Sequence, residues 1–165
     1  MTWVGQATRR TKRSSAISTT ARSQAPDEIF LDRCHVGFEA EARGVGDGHV
    51  AVLLLERIAQ SGQASFLSVL KKFGNVPGPG RFSFPMEGYT LALDFPVNKE
   101  VLKLMDQLDR ITVDHGGRFY LAKDARLSAE TFQATEERFS DFAGMRDSSG
   151  AAEAFASMQS RRLGL

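Results

Sequence analysis

The order of periodicities along this chain predicts an α+β domain, an antiparallel sheet covered by helices. Three observations carry that reading. From Gly48 onward, stretches with helical apolar spacing and short runs of strand character follow one another in the order α, β, β, α, β, α, α. Glycines and prolines punctuate the runs at Gly62, Pro85, Gly88, Pro96 and Gly116-Gly117. The patterned stretch, residues 48 to 165, is long enough for one hydrophobic core.

Residues 1 to 47 are expected to be a disordered or non-native lead-in. The first 25 residues hold Arg9, Arg10, Lys12, Arg13 and Arg22, with no acid before Asp27 and no apolar period. Such text buries too little to offset its ordering entropy. A basic tail, a transit-like peptide or a start outside the native frame would each produce it. Residues 26 to 47 fit neither period, and Gly44, Gly46 and Gly48 interrupt them.

The elements then follow in order. Val50, Leu53, Leu54 and Ile58 share a helical face, and Gly62 is a stop. Phe66 to Phe73 reads as a strand with Leu67, Val69, Lys71 and Phe73 on one face. Asn75 to Gly80 is a loop. Phe82 to Phe95 reads as a long strand or a bent pair, ended by Pro96. Asn98 is an N-cap for a helix burying Val101, Leu104, Met105, Leu108 and Ile111, closed by His115-Gly116-Gly117. Arg118 to Ala122 is a short strand, and helices are expected over 128 to 143 and 150 to 162.

Composition narrows the function classes. A net charge of +1 argues against nucleic acid as a partner. One cysteine, Cys34, rules out an internal disulfide and a cysteine-rich zinc site. His35, His49 and His115 lack metal-ligand spacing, so no metal is expected. The longest apolar run, Val50 to Leu55, is far short of the roughly 20 residues that span a bilayer. A cytoplasmic location is expected, with membrane association as the variant.

Two lysines stand out. Lys123 follows the apolar run Phe119-Tyr120-Leu121-Ala122 and precedes Asp124 and Arg126, charges placed where a strand gives way to a helix. Solvated loop charges paired with Asp124 would look the same. Lys71 shares a strand face with Leu67 and Val69, so it either needs a partner or ligand or marks an exposed strand end.

A longer pattern bears on that choice. Ser65-Phe66-Leu67-Ser68-Val69-Leu70-Lys71-Lys72-Phe73-Gly74, Gly88-Tyr89-Thr90-Leu91-Ala92-Leu93-Asp94-Phe95-Pro96, Gly116 to Arg126, Ala129-Glu130-Thr131-Phe132 and Phe155-Ala156-Ser157 keep order and spacing. Together they resemble the C-terminal part of the flavoprotein subunits of decaprenylphosphoryl-β-D-ribose 2-epimerases. Those belong to the FAD-linked oxidases of the vanillyl-alcohol-oxidase type. The resemblance implies a substrate or cap domain over residues 48 to 165, working with an FAD-binding half that residues 1 to 47 do not resemble. It implies oxidation of a sugar or sugar-lipid hydroxyl with FAD as hydride acceptor, and a short-chain reductase as partner. It places Lys123 beside flavin and substrate, and Lys71, Leu67, Val69, Thr90 and Ala92 in the substrate pocket. The family's pocket cysteine is Ala92 here and its asparagine is Thr90, which bears on the substrate. The alternative is a non-catalytic or degenerate domain that keeps the fold without the cofactor.

Overall fold

The computed structural model describes residues 35–43, 48–76 and 78–165. Four strands form one sheet: β1 (His35–Arg43), β2 (Leu67–Phe73), β3 (Gly88–Pro96) and β4 (Arg118–Phe119). The order is β2-β3-β1-β4, with every neighbouring pair antiparallel. The α+β architecture expected from the periodicities is therefore the one observed. Residues 1 to 34 and 44 to 47 lie outside the described residues, so the expected disorder there has no structural counterpart to compare.

β1 corrects the sequence reading. Residues 35 to 43 fall where no element is expected, yet they form a central strand paired on both sides. The period-two signal is present: Val36, Phe38 and Ala40 are buried in the core, with Gly37 and Glu39 between them. A glycine, two alanines and two acids make that alternation faint, and sheet pairing decides the outcome.

Three boundaries also move. β3 begins at Gly88, so Phe82 to Glu87 is a loop rather than strand. Its backbone carbonyls are taken by arginines: Arg118 Nη1 donates to Ser83 O at 3.4 Å and Phe84 O at 3.2 Å, and Arg138 Nη1 to Ser83 O at 3.0 Å. β4 is only two residues long and runs into a 3-10 turn, Leu121–Lys123. The two expected C-terminal helices are four short ones: α3 (Ala129–Thr135), α4 (Phe139–Ser148), α5 (Ala151–Ala154) and α6 (Met158–Leu163).

The long helices match expectation. α1 (His49–Ser61) stops at Gly62, which has φ of 70° and so a conformation that costs glycine little. α2 (Lys99–Asp114) starts at Asn98, whose side chain accepts from Val101 N at 2.7 Å. Such a cap is worth about 1 kcal/mol. Leu54 and Ile58 of α1 and Val101, Leu104, Met105 and Leu108 of α2 close over Val36, Phe38, Leu91, Leu93, Phe95 and Phe119 on one sheet face. Phe95 is 0% exposed, and full burial of such a side chain contributes about 1.5–3 kcal/mol. At the other end Phe132 of α3, Leu163 of α6 and Leu127 join the same core.

Candidate functional site

Among the described residues, the second face of the sheet carries no helix of this core. Opposite residues of an antiparallel pair share a face, and the register sets Leu67 against Asp94, Val69 against Ala92 and Lys71 against Thr90. β1 continues the rows, with Gly37 opposite Asp94 and Glu39 opposite Ala92. Leu67 and Val69 are 43% and 38% exposed, while Thr90 and Ala92 lie buried at the base. The Thr90 hydroxyl oxygen is buried with no hydrogen-bond partner among the described residues. Leaving such a group unpaired costs about 1–3 kcal/mol.

Lys71 is the lysine that edge strand β2 places on this face. Its Nζ donates to Glu39 Oε1 at 2.5 Å, and Glu39 is almost wholly buried beside Ala92. Lys71 itself is exposed on this edge strand, as the second of the two sequence readings has it, and its ammonium still finds a buried carboxylate two strands away. Sequence inspection misses Glu39 because it belongs to β1, but the alternation of Val36, Phe38 and Ala40 around it is a usable signal.

Lys123 reaches this face from the 3-10 turn after β4. Its Nζ lies 3.3 Å from each Asp94 carboxylate oxygen. The chain crosses above β1 to get there, and Gly37 makes the crossing possible. A Cβ on Gly37 would stand 2.8 Å from Lys123 O and 3.4 Å from Lys123 Cβ. In the sequence, the signal of Asp94 is a lone acid inside the apolar run Leu93-Asp94-Phe95. All six residues singled out from the sequence, Leu67, Val69, Lys71, Thr90, Ala92 and Lys123, therefore sit on or reach one face.

The neighbouring charges separate from Lys123. Arg126 makes a bidentate pair with Asp109 of α2, at 2.7 and 2.6 Å. Burial pushes the Asp109 carboxyl above the usual carboxylate range, and Arg126 offsets only part of that. Asp124 pairs with Arg162 at 2.8 Å and accepts from Leu127 N at 2.7 Å and Arg126 N at 3.0 Å. Burial alone would raise Asp124, but those hydrogen bonds outweigh it and hold the carboxyl below its ordinary value. The loose pairing of Lys123 and Arg126 with Asp124 is thus not the observed arrangement. Beside the face, buried Glu136 is gripped by Arg138 at 2.6 and 2.7 Å and by Arg118 at 3.4 Å.

The face suits contact with a partly apolar ligand that also accepts or donates hydrogen bonds. Leu67 and Val69 offer apolar surface, the Thr90 hydroxyl is without a partner among the described residues, and the Lys123 ammonium is partly exposed. Among the described residues, no group of three His, Cys, Asp or Glu side chains could hold a metal ion. No helix of the described residues is long and apolar enough to cross a membrane.

No family model matches the chain. Over 109 residues it is 41% identical to decaprenylphosphoryl-β-D-ribose oxidase of Mycolicibacterium smegmatis, a match covering 66% of this chain and 23% of that protein. Over 154 residues it is 39% identical to a Streptomyces coelicolor protein named only as an uncharacterized protein in the mprA 5′ region, covering 88% of this chain and 42% of that one. The chain is thus similar to a sugar-lipid oxidase while spanning less than half the length of either relative.

Proposed function

We propose that this chain forms the substrate-facing part of an FAD-dependent oxidase acting on a sugar hydroxyl, of the decaprenylphosphoryl-ribose oxidase kind. The observation that supports it most is the meeting of Lys71, Lys123, Leu67 and Val69 on one open sheet face, in a chain 41% identical to such an oxidase over 109 residues.

The residues present suit one edge of the flavin rather than the whole dinucleotide, so an FAD-binding part is an implied partner. FAD, when bound, supplies the two-electron acceptor. Lys123 is assigned to orient the sugar hydroxyl and to hold negative charge that develops beside it, the role of a preorganised donor. Asp94 keeps the ammonium aimed along the face. Lys71, steadied by Glu39, is assigned to polar substituents of the sugar-lipid, and Leu67 and Val69 to its apolar contacts. Thr90 and Ala92 line the base and bear on which sugar fits. Oxidation of the hydroxyl gives a ketone, and a short-chain reductase that reduces it to the other epimer is the fitting second enzyme. A membrane-proximal setting goes with a lipid-linked substrate.

The test uses a preparation holding this chain together with an FAD-binding part. Anaerobic mixing with a polyprenylphosphoryl-ribose should bleach the flavin absorbance. No bleaching with that substrate or with free aldopentoses would overturn the assignment.

A further inference from the structure

The turn that carries Lys123 is held from behind by side chains of the C-terminal helix. The 3-10 turn that carries it is a single turn of three residues, too short to be firm by itself. On the sheet side, Tyr120 N donates to Glu39 O at 2.9 Å, which ties the start of the turn to β1. On the other side stands α6. Gln159 Nε2 donates to Leu121 O at 2.7 Å and to Asp124 O at 3.1 Å, bracketing Lys123 by its two flanks. Arg162 donates to the Asp124 carboxylate at 2.8 Å and to Leu127 O. α6 is itself anchored: Ser157 and Ser160 form a reciprocal cap, Leu163 is in the core, and Gln133 Nε2 donates to Leu163 O at 3.2 Å.

A lysine has much rotamer freedom to lose, so its ammonium is only as well placed as the backbone beneath it. We propose that Gln159 and Arg162 are positioning residues for Lys123. They lock the Leu121–Asp124 turn against the C-terminal helix so that the ammonium stays beside Asp94. This rests on assigning Lys123 to the reacting centre, but the lock itself is measurable without flavin or substrate.

The experiment treats the full chain with limiting acetic anhydride and compares acylation of Lys123 with that of exposed Lys103 by peptide mass. Amide exchange of β3 serves as the internal check of folding. Gln159→Leu and Arg162→Leu should each raise the Lys123-to-Lys103 ratio by roughly fivefold or more, with β3 protection retained, as expected of local rather than global opening. An unchanged ratio in both variants overturns the proposal. Should either variant lose β3 protection, Arg162→Lys and Gln159→Asn decide: a raised Lys123 ratio in a folded chain supports the lock, and an unchanged one overturns it. In the FAD-containing preparation, Gln159→Leu should lower kcat while leaving KM nearly unchanged; a change confined to KM counts against positioning. Exposure of Lys123 by Gln159→Leu, combined with normal flavin reduction by Lys123→Met, would leave the lock standing and remove Lys123 from the chemistry.

Discussion

One sheet presents two faces built on opposite terms. On the first, Val36, Phe38, Leu91, Leu93, Phe95 and Phe119 are sealed beneath α1 and α2. On the second, apolar Leu67 and Val69 are open while Lys71 pairs with Glu39 and Lys123 with Asp94. Apolar burial drives folding and carries no chemistry. Fixed, paired charge on an exposed face adds little stability and is the kind of arrangement binding sites use. The difference separates the residues that hold the domain together from those available to a ligand.

The largest effect should come from the sealed face. Phe95→Ala should cost about 3–5 kcal/mol of folding stability, since it empties a fully buried ring site. Val69→Ala, on the open face, should cost under about 1 kcal/mol by urea denaturation. Equal losses would mean that the second face is also part of the core.

Next comes chemistry on the open face. In the FAD-containing preparation, Lys123→Met should slow flavin reduction by roughly a hundredfold or more, the worth of one preorganised donor. Its stability should hardly change, because the Asp94 pair is partly exposed and such pairs contribute about 0–1 kcal/mol. A stability loss as large as that of Phe95→Ala would mark Lys123 as structural.

A smaller effect probes the crossing that brings Lys123 over β1. Gly37→Ala should destabilise the chain by about 1–3 kcal/mol, the usual cost of overpacking, because its Cβ would press on the Lys123 backbone. It should also raise acylation of Lys123 more than that of Lys103. A neutral result in both measurements would mean that the turn moves aside freely.

The sealed face was far more legible in the sequence than the open one. α2 could be read from Asn98 and the spacing of Val101, Leu104, Met105 and Leu108, because cap and period are local signals. Leu67, Val69 and Lys71 were placed on one face by period two alone, and the register agrees. The partners of the two lysines were not legible. Lys71 meets Glu39 across 32 residues and Lys123 meets Asp94 across 29, separations closed by strand pairing in the first case and by the turn that crosses β1 in the second. β1 itself was missed because Gly37, Ala40 and Ala42 weaken the apolar signal of a strand that pairing on both sides nonetheless fixes. The number of C-terminal helices is not legible, since α3 to α6 are short and none carries a long apolar stripe; α3 and α6 start at the caps Ser128 and Ser157.

The smallest effect concerns the lock behind Lys123 and its dependence on pH. Asp124 is held below its ordinary value of 3.8, so the folded state favours the carboxylate more than the unfolded chain does. Its contribution is present above that ordinary value and is lost as pH falls through the lower, folded one. Asp109 runs the other way. Its carboxyl is raised, so its contribution is fullest below 3.8 and declines as pH rises through the folded value. The two carboxylates sit on either side of Arg126, yet they should pull acid stability in opposite directions. Urea midpoints taken from about pH 5 downward should therefore fall less steeply for Asp124→Asn than for the parent chain, and more steeply for Asp109→Asn. Lys123 acylation, corrected for the reagent's own pH dependence, should rise with acid in the parent and already be raised in Asp124→Asn. Parallel urea curves for all three proteins would show that neither carboxylate couples to folding, and that the firmness of the Lys123 turn comes from Gln159 rather than from the Arg162–Asp124 pair.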